Sequence, residues 1–134
     1  MAAVLVVEDE AQVLVLAESY LEEHGHRTFS AANVEQALAI IDGPEQIDVL
    51  FTDIGLNDNL QAGLELAKEA VERRLGLKVL YATGQAVTDG MKALFVDGSA
   101  VLQKPYTVEQ LLTSFTVYFE INHKGDGRAR SRDR

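Results

Sequence analysis

The chain has 134 residues, is 47% hydrophobic and carries a formal net charge of −9, which predicts one acidic domain with a buried core. The absence of cysteine excludes a disulfide framework and thiolate chemistry. The apolar run at residues 1–7 is too short for a signal peptide or a membrane span, so we expect a cytoplasmic protein without membrane attachment.

The charge is unevenly distributed along the chain. Residues 123–134 contain five basic and two acidic side chains, a local charge of +3, so residues 1–122 carry −12. We expect no direct nucleic-acid binding by this acidic body, because phosphate contacts need concentrated Lys and Arg. The basic end has no apolar periodicity and is predicted to be a disordered tail. The predicted domain therefore covers residues 1–122 and the tail residues 123–134.

Apolar strands alternate with helices along the predicted domain. The five strands are predicted at residues 3–7, 27–31, 47–53, 77–83 and 100–103. Each strand is followed by a helix, which is typical of an α/β fold with a parallel sheet wound on both faces. For such a doubly wound five-stranded sheet we expect the flavodoxin-like strand order 2-1-3-4-5.

Helical periodicity predicts which side chains of the helices face the core. The first helix is expected to bury one stripe of apolar residues, namely Val13, Leu16, Ala17, Tyr20 and Leu21. On this helical wheel Val15 points away from the core, and Ala11 and Leu14 lie on the flank. The fourth helix is predicted at about Thr88–Val96, although Gly90 weakens it. Thr107 and Gln110 fit a capping box at the start of the last helix, whose apolar stripe includes Val108, Leu111, Leu112, Phe115, Tyr118 and Phe119.

Three carboxylates are predicted to meet in one crevice. Asp53 ends the central strand, Glu8 and Asp9 follow the first strand, and these two strands flank the point where the strand order reverses. Carboxylate oxygens suit Mg²⁺, and a carboxylate beside such an ion can attack a phosphoryl group. Thr83 ends the fourth strand and Lys104 follows the fifth, and they would supply a hydroxyl and an ammonium to that group.

Five ordered motifs carry a resemblance to a known family. They are Val6-Val7-Glu8-Asp9-Glu10, Phe51-Thr52-Asp53, Gly63-Leu64-Glu65-Leu66, Ala82-Thr83-Gly84 and Gln103-Lys104-Pro105. Over about residues 3–120 the chain resembles the receiver domains of two-component response regulators, the CheY-like superfamily.

The resemblance implies a role for each site residue. Asp53 would be the phosphoacceptor and Lys104 would contact the phosphoryl group, while Thr83 would be the switch hydroxyl. The metal ligands would be Glu8, Asp9, Asp53 and the backbone carbonyl of Gly55. The Lys104–Pro105 peptide bond would be cis.

The resemblance also implies the partners of the chain. A histidine kinase or a histidine phosphotransfer protein would donate the phosphoryl group, and a downstream protein would read the change, with dimerisation on phosphorylation as a further option. The chain would not be an enzyme with a separate output activity, because it would only catalyse its own phosphorylation and dephosphorylation. We expect the donor to dock on the first helix and on the loop after strand five, through Ala11, Leu14, Val15 and Tyr106.

The chain departs from the common receiver pattern at two places. Leu56 and Asn57 stand where a proline is usual, in a loop that is longer than in chemotaxis-type receivers, and Val101 replaces the usual aromatic residue of the switch. Three alternatives stay open: a receiver module of a hybrid histidine kinase, an unphosphorylated scaffold, and a magnesium-dependent phosphatase with an aspartyl-phosphate intermediate. Phosphatases of this kind place a second aspartate two residues after the nucleophile, and this chain has Gly55 there.

Overall fold

The structure is a computed structural model that describes residues 2–116. The strands are β1 (Ala3–Val7), β2 (Arg27–Ala31), β3 (Val49–Asp53), β4 (Lys78–Thr83) and β5 (Ala100–Gln103). The helices are α1 (Ala11–Glu23), α2 (Val34–Ile41), α3 (Ala62–Arg73) and α4 (Asp89–Lys92), and residues 108–116 form the described part of α5. The five predicted strands are confirmed to within two residues.

The strands form one parallel sheet in the order β2-β1-β3-β4-β5, which confirms the predicted topology. The register pairs Val7 with Thr52, so that β1 and β3 end side by side. Asp53 pairs with Ala82 on β4, and Thr83 pairs with Gln103 on β5. The carboxyl ends of the four strands β1, β3, β4 and β5 therefore meet at one edge of the sheet.

Two apolar clusters cover the two faces of the sheet. Alternate residues of each central strand face opposite sides, so Leu50 belongs to one cluster and Phe51 to the other. The helices α2 and α3 cover the first face, and α1 and the described part of α5 cover the second. The central strands β1, β3 and β4 are buried on both faces, which explains why they are largely apolar.

The buried face of α1 differs from the prediction. Ala17 and Leu21 are buried and Leu14 packs against the same cluster, whereas Leu16 is 51% exposed. The prediction that Leu16 belongs to the core is therefore wrong. Leu14, predicted on the flank, is partly buried against the core. Val15 is exposed, as predicted. The helix turns Leu14, Ala17 and Leu21 toward the sheet, and these residues are also spaced as one helical stripe.

The fourth helix is shorter than predicted, because α4 ends at Lys92 and not near Val96. After it, the N–H groups of Leu94 and Phe95 donate to Met91 and Lys92, three residues back. The N–H of Val96 donates at 3.1 Å to the hydroxyl of Tyr81, so it does not continue the backbone hydrogen bonding of a helix. Phe95 stacks on the Tyr81 ring with centroids 4.6 Å apart. The buried tyrosine thus holds Val96 and Phe95 after the end of the helix.

The predicted capping box of α5 is confirmed. The N–H of Gln110 donates to Thr107 Oγ1 at 3.0 Å, and the N–H of Thr107 donates to Gln110 Oε1 at 2.8 Å. Tyr118, Phe119 and the predicted tail at 123–134 lie outside the described residues, so those predictions stay predictions. Within residues 2–116, no helix has the length and the apolar character that a membrane crossing requires.

Candidate functional site

The structure brings the three predicted carboxylates together. Glu8 directly follows β1 and Asp53 ends β3, and the pairing of these strands places the two residues side by side. Glu8, Asp9 and Asp53 each offer a carboxylate oxygen, and the three oxygens lie within 4.8 Å of one another. Such a set of hard oxygen donors fits Mg²⁺, which takes one or two carboxylates and keeps several of its waters.

Lys104 bridges Glu8 and Asp53, which are the acids of this cluster that are more buried than Asp9. Its Nζ atom lies 3.2 Å from Glu8 Oε1 and 3.3 Å from Asp53 Oδ2. Glu10 Oε1 is farther away, at 3.9 Å, on a side chain that is mostly exposed. The backbone N–H of Lys104 donates to the carbonyl of Thr83, and the Lys104–Pro105 bond is cis as predicted. Strand pairing therefore carries the lysine to the end of β3.

The pKa values of Glu8, Asp53 and Lys104 are all raised. Burial raises the pKa of Asp53, and the neighbouring Lys104 offsets only part of this effect. Burial and the charge of Asp53 raise the pKa of Glu8 as well. For Lys104, burial acts to lower the pKa, but the charges of Asp53 and Glu8 outweigh burial and the pKa is raised. A bound cation would reduce the repulsion between the acids.

Thr83 lies at the end of β4, where its side chain is buried. Its Oγ1 atom accepts a hydrogen bond from the N–H of Gln85 at 3.0 Å. A hydroxyl that accepts one hydrogen bond still has its own hydrogen to donate. Gln103 belongs to a quoted motif but had no predicted role, and its Nε2 donates to the carbonyls of Thr83 and Gln85, at 3.0 and 3.2 Å. This side chain ties the loop after β4 to β5.

Gly63 has a role that sequence reasoning missed, although it belongs to one of the quoted motifs. Its N–H donates to the carbonyl of Ile54 at 2.7 Å, which draws the start of α3 against the end of β3. A Cβ atom on Gly63 would lie 2.8 Å from Ile54 Cα and 2.9 Å from the carbonyl carbon of Asp53. Only glycine fits at this distance. A glycine at the start of a helix is the signal that could have revealed it.

The loop after Asp53 folds back over the acidic cluster. A Cβ atom on Gly55, the predicted carbonyl ligand, would lie 3.7 Å from the carbonyl oxygen of Asn59 and from Gln85 Nε2. The N–H of Asn57 donates to Asp9 Oδ2 at 3.0 Å. The sequence showed that this loop is unusually long, but it did not show that the loop reaches Asp9.

A groove of about 640 Å³ runs beside the cluster, between α1 and the loop after β5. Tyr106, a predicted docking residue, lines this groove together with Leu16 and Tyr20 of α1. Val15 and Ala11, two more of the predicted docking residues, are exposed on the adjoining surface of α1. Leu14 is partly buried and packs against the same core cluster as Tyr106, so it is less exposed than Ala11 and Val15.

Sequence comparison assigns the family of the chain. The sequence model of the response regulator receiver domain matches residues 4–116. The chain belongs to this family. Its strand order and flanking helices are those of CheY-like receivers, as predicted. The receiver is 22% identical over 113 residues to the response regulator SaeR of Staphylococcus aureus (strain USA300), a match that covers 84% of this chain and 48% of SaeR. It thus spans about half the length of the curated relatives it matches.

Solved structures show the same architecture. A CheY-like receiver domain protein from Methanospirillum hungatei JF-1 is 26% identical, with a TM-score of 0.82 over 93% of this receiver and 98% of that chain. The receiver domain of the hybrid histidine kinase CckA is also 26% identical, with a TM-score of 0.72 over 87% and 97% of the two chains. The receiver is therefore similar both to separate receiver proteins and to a receiver of a hybrid kinase.

Proposed function

We propose that this receiver accepts a phosphoryl group on Asp53 from a histidine kinase or a histidine phosphotransfer protein. The observation that supports this most is the position of Asp53, whose carboxylate lies beside two further acids and within 3.3 Å of Lys104 Nζ. The residues that would hold Mg²⁺ are Glu8, Asp9 and Asp53, with the carbonyl of Gly55. When bound, the ion neutralises charge on the transferring phosphoryl oxygens.

The transfer needs a nucleophile and a cation at the same place. A carboxylate oxygen of Asp53 forms a bond to phosphorus while the bond from phosphorus to the donor's imidazole nitrogen breaks, and the electron pair of that bond stays on the imidazole. The other ring nitrogen of the phosphorylated histidine carries a proton, so the imidazole leaves in its neutral form. Lys104 stabilises the negative charge of the equatorial oxygens, because its ammonium already lies beside the attacking carboxylate. The product is an aspartyl phosphate on Asp53 and a neutral histidine side chain on the donor.

Thr83 converts the new phosphoryl group into a change at the surface. Its hydroxyl would donate to a phosphoryl oxygen, and the loop that its neighbour Gln85 begins would follow this movement. A downstream protein in the cytoplasm would read the altered surface. In this proposal the chain is a regulator that holds its phosphoryl group, and it has no separate catalytic output.

Labelling with a small phosphodonor tests the proposal. With acetyl phosphate and Mg²⁺, intact-mass analysis should show one added phosphoryl group on the wild type and none on Asp53→Asn. Asp97→Asn removes an exposed carboxylate in a turn and should be labelled like the wild type. Equal labelling of Asp53→Asn would disprove the assignment. Continuous release of phosphate from p-nitrophenyl phosphate would instead identify a phosphatase.

A further inference from the structure

The loop between β3 and α3 contains a two-residue hairpin turn. Leu56 and Asn59 exchange both backbone hydrogen bonds, at 3.0 and 2.9 Å, around Asn57 and Asp58. The two central residues have positive φ angles, 51° for Asn57 and 67° for Asp58. A type I′ turn needs positive φ at both of these positions, and Asn and Asp are the side-chain-bearing residues that tolerate it best. The local sequence is therefore suited to this turn.

The turn directs one backbone N–H at the acidic cluster. The N–H of Asn57 donates to Asp9 Oδ2 at 3.0 Å, across 48 positions of the chain. The Asn57 side chain donates to the carbonyl of Ala32 at 3.3 Å, which anchors the turn to the segment after β2. Asp9 follows β1 and is exposed to solvent. The hydrogen bond thus restrains a carboxylate that could otherwise rotate freely.

We infer that Asn57 is a positioning residue for Asp9, so that the turn prepares this carboxylate to hold the divalent cation. The inference rests on the proposed function, in which Asp9 is a metal ligand. One N–H occupies one lone pair of Oδ2, and the remaining lone pairs of the carboxylate can still face a cation. Hydrogen bonds from the surroundings fix the orientation of metal ligands, and their loss typically lowers metal affinity about 10–100-fold.

Because Asn57 has a positive φ angle, some substitutions at this position keep the turn and others disrupt it. Glycine reaches positive φ without steric cost and keeps the backbone N–H, so Asn57→Gly retains the bond to Asp9 and loses only the bond to Ala32. Valine is strongly disfavoured at φ 51°, so Asn57→Val must reshape the turn and withdraw the N–H from Asp9. Asn57→Ala imposes a smaller strain and provides a milder variant if the valine variant does not fold.

Titration with Mn²⁺ followed by electron paramagnetic resonance, with Mg²⁺ as competitor, tests the inference. The dissociation constant of Asn57→Gly should stay within about threefold of the wild type, because the turn is kept. That of Asn57→Val should rise about tenfold or more, with Asn57→Ala in between. Asp9→Ala is the reference variant for the complete loss of one metal ligand. Without metal, amide hydrogen exchange at residue 57 should be slow in the wild type and fast in Asp9→Ala.

The outcomes separate the inference from the proposed function. In one outcome the wild type binds Mn²⁺ and Asp9→Ala does not, while Asn57→Ala and Asn57→Val bind like the wild type. This outcome would leave the metal site intact and refute the positioning role of Asn57. Unchanged exchange at residue 57 in Asp9→Ala would refute it as well, independently of any metal. If the wild type itself fails to bind Mn²⁺ or Mg²⁺, the proposed metal site is wrong and the inference falls with it.

Discussion

Gly63 and Asp53 are packed so closely that the backbone of Asp53 occupies the space in which any other residue at position 63 would place its Cβ atom. The contact joins the first turn of α3 to the last residue of β3. Because the proposed nucleophile ends that strand, the position of its backbone depends directly on the absence of a side chain at Gly63.

Gly63→Ala should therefore destabilise the receiver by about 1–3 kcal/mol, as an extra methyl group in a filled space does. It should also slow labelling of Asp53 by acetyl phosphate, because the strand end must shift to make room. Gly90→Ala is the matched control, since among residues 2–116 a Cβ there would meet only Thr88 Oγ1, at 3.9 Å. Alanine at this helical position should add about 0.5–1 kcal/mol of stability. Urea unfolding measures both effects, and equal stability of the two variants would contradict the packing argument.

Asp53 should also make stability depend on pH. Its pKa in the folded state is raised above the usual 3.8, chiefly by burial, so the folded state binds the proton more tightly than the unfolded chain does. Protonation of Asp53 therefore stabilises the folded state. This stabilisation is complete below the usual pKa of the carboxyl group, and it is lost as the pH rises through the raised pKa. At neutral pH, the buried carboxylate destabilises the fold.

Asp53→Asn should consequently be more stable than the wild type at pH 7, and its advantage should shrink on acidification as the wild-type carboxyl takes up its proton. Urea unfolding between pH 4 and pH 8 checks this difference. Asp97→Asn changes the formal charge equally at an exposed position, so it should show no such trend. An advantage of Asp53→Asn that is constant across this range would show that burial of the charge is not its cause.

The strands β1, β3 and β4 and the meeting of Glu8, Asp53 and Lys104 were predictable because these strands are largely apolar and polar residues stand at or directly after their ends. The strand order followed from the fold expected for alternating strands and helices. The orientation of α1 was not. Residues 13–17 are all apolar, so two overlapping helical stripes fit the pattern equally well. Contact with the sheet selects the stripe with Leu14 and leaves Leu16 exposed.

The other differences depend on contacts between residues far apart in sequence. Val96, the predicted end of α4, instead donates to the Tyr81 hydroxyl, fifteen residues earlier in the chain. Asn57-Asp58 is a turn signal in the sequence, but its bond to Asp9 spans 48 residues. Local patterns of hydrophobicity and turn residues contain no information about such pairings.

The segment after Thr83 should be the part of the receiver that responds to phosphorylation. Val101, at the position of the usual aromatic switch residue, is partly exposed, and α4 has a single turn with Gly90 inside it. With Mg²⁺ and beryllofluoride as a phosphoryl mimic, hydrogen exchange over residues 84–97 should slow in the wild type. In Thr83→Ala it should not slow, because the hydroxyl that contacts the mimic is missing. Exchange in α2 serves as the internal control, and the same exchange over residues 84–97 with and without the mimic would contradict this switch.

The surface beside the groove suggests where the phosphodonor docks. Val15 and Leu16 are 58% and 51% exposed, and Leu16 lines both the groove and the neighbouring patch of α1. The groove also includes Lys104 and Tyr106, so a partner seated there lies next to the phosphoacceptor. An apolar surface at this place fits a helix of the donor protein that carries the phosphorylated histidine.

Val15→Asp combined with Leu16→Asp should therefore abolish transfer from a histidine kinase and leave labelling by acetyl phosphate unchanged. Both side chains are more than half exposed, so the double variant should fold with wild-type stability to within about 1 kcal/mol. Leu75→Asp is the matched control: Leu75 is 95% exposed in the turn between α3 and β4, away from α1, and this variant should accept the phosphoryl group from the kinase normally. The donor is found first by screening purified histidine kinases against the wild type. Kinase transfer at the wild-type rate in the double variant would place the docking surface elsewhere on the receiver.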